Sequence, residues 1–181
     1  MLGDMRQLLL LRHAKSSWDD PALSDHARPL NARGRRAAVA MAGAFHGLGL
    51  APEVVLVSSA RRTLQTLEAL VPLEGTPLVE PMDELYLAPW RNLLGTLQRV
   101  PQTARSVLLV GHNPGLHDLA TALAGPTALA AGGRDARRLA EGYPTGTLTE
   151  FAVAAPWQGL QPGGGRLVRL LAPGDLPEMA A

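Results

Sequence analysis

The 181 residues are enough for one domain with a full core, and 46% hydrophobic against 18% charged residues is the balance of a folded globular chain. A formal net charge of +1 gives no bulk electrostatic argument for nucleic acid or an anionic membrane as a partner. The sequence has no cysteine, which excludes disulfides, thiolate metal sites and a cysteine nucleophile.

The opening stretch, MLGDMRQLLLLRHAK, has too short an apolar run for a signal peptide, and no segment reaches the ~20 apolar residues of a membrane span. A cytoplasmic protein is expected. QLLLL (7–11) predicts a first strand that ends abruptly at Arg12-His13. A helix is predicted over 33–48, with Asn31 as its N-cap. EVVLVSS (53–59) predicts a second strand. Leu64, Leu67, Glu68 and Val71 then mark a helix over 60–71. A helix over 89–99, a strand SVLLVGH (106–112) and a helix over 114–124 follow. Residues 125–146 carry weak helical signal between Gly/Pro breaks. TLTEFAVAA (147–155) and GRLVRLLAP (165–173) predict two strands joined by a Gly/Pro-rich turn, and residues 172–181 an exposed tail.

The first three apolar runs are continuous rather than alternating, as in strands buried on both faces of a parallel sheet. The expected fold is a single α/β domain over 1–181, with helices on both faces of a mostly parallel sheet. Ligands of such folds bind beyond the carboxyl ends of the strands. Arg12-His13, Ser58–Arg62 and His112 all fall there.

Sixteen of the seventeen basic residues are arginine, only Lys15 being lysine, so a lone arginine carries little weight. Two arginines and two histidines at one sheet edge carry more. Guanidinium forks match phosphate oxygens, and their charge favours neutral imidazole, whose lone pair can attack phosphorus. His26, His46 and His117 lack such placement. No G-x-x-x-x-G-K-[ST] loop is present, which excludes a P-loop NTPase. GHNPGLHD (111–118) invites a metal-hydrolase reading, but His112 and His117 are five apart across Pro114 and no acidic cluster accompanies them.

These blocks resemble the histidine phosphatase, or phosphoglycerate-mutase-like, superfamily, and within it the SixA-type phosphohistidine phosphatases. Arg12-His13-Ala14 resembles the family's first block. SSARRTLQT matches the second, with Arg62, Gln65 and Thr66 in register, and VGHNPG matches the third at His112. KSSWDDPALSDHARPLNARGRRAA, ELYLA and YPTGTL are similar to the SixA-type subgroup. The resemblance implies a three-layer α/β/α fold and a metal-independent, cofactor-free phosphatase. In it His13 is the nucleophile, Arg12 and Arg62 clamp the phosphoryl group, and His112 completes the pocket. Ser16 and Asn113 are further candidates for substrate contact. Glu84 is the candidate acid for the leaving group, followed by Asp83 and Asp19. Two departures stand out: Asp19 occupies a position where mutase-type relatives carry asparagine, and Ser59 one where the family often has proline. The implied substrate is a phosphorylated protein or a small phosphorylated molecule, and nothing specifies an oligomer. The alternatives are a sugar-phosphate phosphatase or mutase, for which Lys15, Arg28 and Arg91 could hold the rest of a substrate, and a noncatalytic phosphate-binding scaffold.

Overall fold

The four leucines 8–11 form the middle of strand β1 (Arg6–Arg12) in the computed structural model, which describes residues 4–180. Residues 1–3 of the opening stretch and residue 181 of the expected tail lie outside it. Leu8 and Leu10 face one side of the sheet and Leu9 and Leu11 the other, and all four are fully buried. This is why the run is continuous: each alternate residue meets a helical layer instead of water.

The remaining strands are β2 (Val54–Ser58), β3 (Leu78–Met82), β4 (Ser106–Gly111), β5 (Leu148–Val153) and β6 (Gly165–Leu171). Their order in the sheet is β3-β2-β4-β1-β5-β6. The pairings β2–β3, β2–β4 and β1–β4 are parallel, whereas β1–β5 and β5–β6 are antiparallel. Helices α1 (Ala32–Gly47) and α2 (Arg61–Leu70) cover one face. Helices α3 (Trp90–Gln98), α4 (Gly115–Ala124) and α6 (Arg134–Glu141) cover the other. A short helix α5 (Pro126–Ala131) joins α4 to α6. The result is the expected single-domain, three-layer α/β fold.

Asn31 caps α1 as its sequence position suggests, its Oδ1 accepting from Gly34 N at 2.7 Å. Three differences from the sequence reading have physical causes. Strand β3 went unpredicted because it is an exposed edge, and Glu80 and Pro81 interrupt its apolar run. Helix α2 turns Arg62, Thr63, Thr66, Leu67 and Leu70 inward, leaving Glu68 and Val71 outside. The tail is docked rather than exposed: Leu176 is buried and Met179 packs against the face covered by α1. Asp175 Oδ2 ties it down, accepting from Ala172 N at 2.8 Å and from Arg138 at 2.7 Å. Among the described residues no helix is long and apolar enough to cross a membrane.

Candidate active site

The carboxyl ends of β1, β2 and β4 converge on a cavity of about 410 Å³. Arg12 and His13 enter from the end of β1, where Arg12 pairs with Gly111 and His13 N donates to Gly111 O at 3.2 Å. Arg62 reaches in from the first turn of α2, and His112 follows β4 directly. Ser16 and Asn113 also line the cavity, with Lys15, Trp18, Asp25, Arg28, Leu87 and Thr145. Six of the seven predicted site residues are thus together.

The matching blocks also have structural parts. Thr66 Oγ1 accepts from Ala14 N at 3.0 Å, and Gln65 Oε1 accepts from Leu30 N at 2.8 Å. Each fixes the loop after β1 to α2. Arg61 is exposed while Arg62 is almost wholly buried and lines the cavity.

The two histidines are held in defined tautomers. His13 Nδ1–H donates to Ala14 O at 2.7 Å, leaving the Nε2 lone pair free to accept from Arg62 Nε at 3.3 Å. His112 Nε2–H donates to Ser58 Oγ at 2.7 Å, and its Nδ1 faces an Arg62 terminal nitrogen at 3.4 Å. The ring centroids are 5.3 Å apart. Burial pushes His13 down to about 4, with Arg62, Arg12 and Arg28 adding to the effect and the Ala14 hydrogen bond opposing it. Burial, then His13 and Arg62, pushes His112 down to about 3. Both imidazoles are neutral at pH 7. Arg12 is oriented by donating to Tyr143 O at 2.9 Å.

Asp25 was not anticipated. Its carboxylate accepts from Arg28 at 2.9 Å, from Arg62 at 3.0 Å, and from the Tyr86 hydroxyl. Burial opposes its ionisation, but Tyr86, Arg28 and Arg62 outweigh burial and hold the carboxyl well below its usual range. Arg62 also donates to Asp25 O at 2.7 Å, so both oxygens brace it. Tyr86 in turn packs edge-on against His112 and His26. The one local signal in the sequence is the i,i+3 spacing of Asp25 and Arg28 behind the capping Ser24. Asn113 is held by its Nδ2 donating to Tyr143 O at 2.9 Å.

Glu84 is a correction. The turn Asp83–Leu85 buries Leu85 and sends Glu84 outward to Arg99 at 3.3 Å, in a different groove beside Met82 and Thr96. Asp83 and Asp19 are also exposed and line no part of the cavity. Glu84→Gln is therefore expected to change kcat/KM by less than about twofold for both an aryl phosphate and a phosphohistidine peptide, as for other screened surface pairs. A loss selective for the aryl phosphate would restore its role as the acid.

The neutral histidines also predict a pH dependence of stability. In the unfolded chain each titrates near 6.5, in the folded chain near 4 and 3. Between these values the unfolded state binds protons that the folded state does not, so stability rises with pH. It is fully present above about 6.5 and is lost as pH falls through about 4 to 3. The urea midpoint should drop on acidification over that window. His112→Asn should flatten the drop, and an unchanged profile in that variant would refute the assignment.

Three comparisons place this geometry. The family description "Histidine phosphatase superfamily (branch 1)" matches residues 8–93. An uncharacterised protein of Mycobacterium tuberculosis is 34% identical over 161 residues, covering 87% of this chain and 96% of that one. Among solved structures, a candidate phosphohistidine phosphatase SixA of Nakamurella is 31% identical. It covers 93% of this chain and 96% of its own at a TM-score of 0.81. A second candidate phosphohistidine phosphatase SixA, from Agrobacterium tumefaciens, is 29% identical over 92% of this chain and 97% of its own, with a TM-score of 0.77. A chain similar to these along nearly its whole length belongs to the histidine phosphatase superfamily, and it is a phosphatase.

Proposed function

We propose that the protein hydrolyses phosphohistidine on a partner protein through a phosphohistidine of its own at His13, without a metal. The observation that carries this reading is the neutral His13 imidazole with its Nε2 lone pair turned toward Arg62 in the cavity. A phosphoryl group bound between Arg12 and Arg62 places its oxygens on fixed guanidinium donors. Nε2 then attacks phosphorus while the bond to the leaving group breaks and its electron pair departs with that group. Water next attacks the His13 phosphoramidate, phosphate leaves, and the pair returns to Nε2. His112, its Nε2–H held by Ser58, turns Nδ1 toward Arg62 and so helps fix the guanidinium that faces the transferring oxygens as they gain charge.

The carboxylates favour the phosphoramidate class. Among the described residues Asp25 is the only carboxylate lining the cavity, and it is held ionised. An alcohol leaving group needs a proton from an acid of suitable pKa. The imidazole of phosphohistidine accepts its proton from solvent and leaves neutral. Support also comes from the two SixA relatives, whose described substrate is of this class. Among the described residues no group of three or more His, Asp or Glu is placed to hold a metal ion.

The test is rapid quenching during turnover of a phosphohistidine peptide, with and without chelator. An acid-labile, alkali-stable label on His13, indifferent to chelator, is the expected result. Turnover with no such label, or loss of activity in chelator, would overturn the proposal.

A further inference from the structure

A second cavity, of about 300 Å³, adjoins the first. Lys15 and Thr145 line both, and so form the wall shared between them. The rest of the second cavity is built by Arg33 and Ala37 of α1, by Pro144, and by the docked tail at Ala172–Gly174 and Met179. Its charged lining is cationic only, Lys15 and Arg33. Both are exposed, and among the described residues neither takes part in an ion pair.

The backbone behind these cations is clamped. Lys15 O accepts from Asn31 N at 3.0 Å, and Gly34 approaches so closely that a Cβ there would lie 2.0 Å from the same oxygen. The loop carrying Lys15 is therefore pressed onto the helical turn carrying Arg33. The tail wall is fixed by Gly146, whose φ of +76° and close approach to Pro173 admit only glycine, and whose N–H donates to His13 O at 3.0 Å. The second cavity thus hangs on the same backbone as His13. Two like charges without counter-ions, set on a concave wall beside a phosphoryl site, complement an anion.

We propose that this second cavity binds a further anionic group of the substrate, a carboxylate or phosphate carried close to the phosphoryl group, and so selects substrates that carry a second acid group. The inference rests on the first cavity being the reaction centre. In a protein substrate the anion is an acidic side chain near the phosphohistidine. In a small molecule it is a second acid group.

Two matched pairs test this and separate the sources. One is a phosphohistidine peptide with two glutamates, or two alanines, beside the modified residue. The other is 3-phosphoglycerate against glycerol 3-phosphate, with p-nitrophenyl phosphate as a reference that carries no second acid group. Wild type should favour the acidic member of one pair by about fivefold in kcat/KM at low ionic strength, through KM, since exposed charge pairs give effects of this order. Salt should erode the preference. Arg33→Met should abolish it while leaving p-nitrophenyl phosphate turnover unchanged, because Arg33 lies outside the first cavity. Lys15→Met should abolish it as well. No preference in either pair, or one that survives Arg33→Met, overturns the second site alone. No turnover of any compound would overturn the reaction centre and this inference with it.

Discussion

Replacing His13 with alanine is expected to lower kcat by roughly ten-thousand-fold or more and to eliminate the covalent label, the loss typical of removing a nucleophile. The fold should tolerate the change. His13 is bound to its surroundings by one hydrogen bond to Ala14 O and a long contact with Arg62, while its backbone N and O are held by Gly111 and Gly146. Truncation leaves those backbone bonds in place. It also removes a buried imidazole that resists protonation, so the variant should lose less stability than wild type between pH 6.5 and 4. Phosphate should still bind the variant, because Arg12 and Arg62 remain. Turnover near the wild-type level would sink the mechanism. Binding without turnover in the wild type would instead favour the noncatalytic scaffold.

Arg62→Ala should have the next largest effect, a loss of about a thousandfold in kcat/KM, or roughly 4 kcal/mol of transition-state stabilisation. One guanidinium touches both histidines, the backbone carbonyl of Asp25 and its carboxylate. Its removal takes away the proposed phosphoryl clamp and leaves His13 Nε2 without its Arg62 donor. It also removes a cation that holds both imidazoles neutral, so their pKa values should rise. The acidic limb of the kcat/KM profile is therefore expected to move to higher pH, which loss of packing alone would not cause. Arg62→Lys should recover little, since one ammonium cannot span His13, His112 and Asp25 as the planar fork does. A lysine variant of near-normal activity, or an unmoved acidic limb in the alanine variant, would show that Arg62 acts only as a distant charge.

What could be read directly from the sequence was what neighbours along the chain decide. The leucines of β1 advertise burial on both faces, and Arg12, His13 and His112 are placed by lying at the ends of buried apolar runs. Asn31 and Gly34 form a local cap, and the cap was foreseen. Asp25 meets Arg62 across 37 positions and Tyr86 across 61, and no periodicity encodes such meetings. Glu84 was misplaced for the opposite reason. An acidic residue near a motif has the right chemistry, but a single turn that buries Leu85 aims Glu84 at Arg99. Strand β3 escaped because its pairing with β2, not its own composition, makes it a strand.

The arginine-rich composition has a practical consequence at the cavity mouth. Apart from an α-amine, the 181 residues offer one primary amine, that of Lys15, and it is exposed on the wall shared by the two cavities. Acylating reagents that ignore guanidinium groups therefore have a single side-chain target on this molecule. Occupancy of either cavity should shield it. A dye attached there would sit beside Trp18, itself exposed on the cavity lining, so binding could be followed as quenching without introducing any residue.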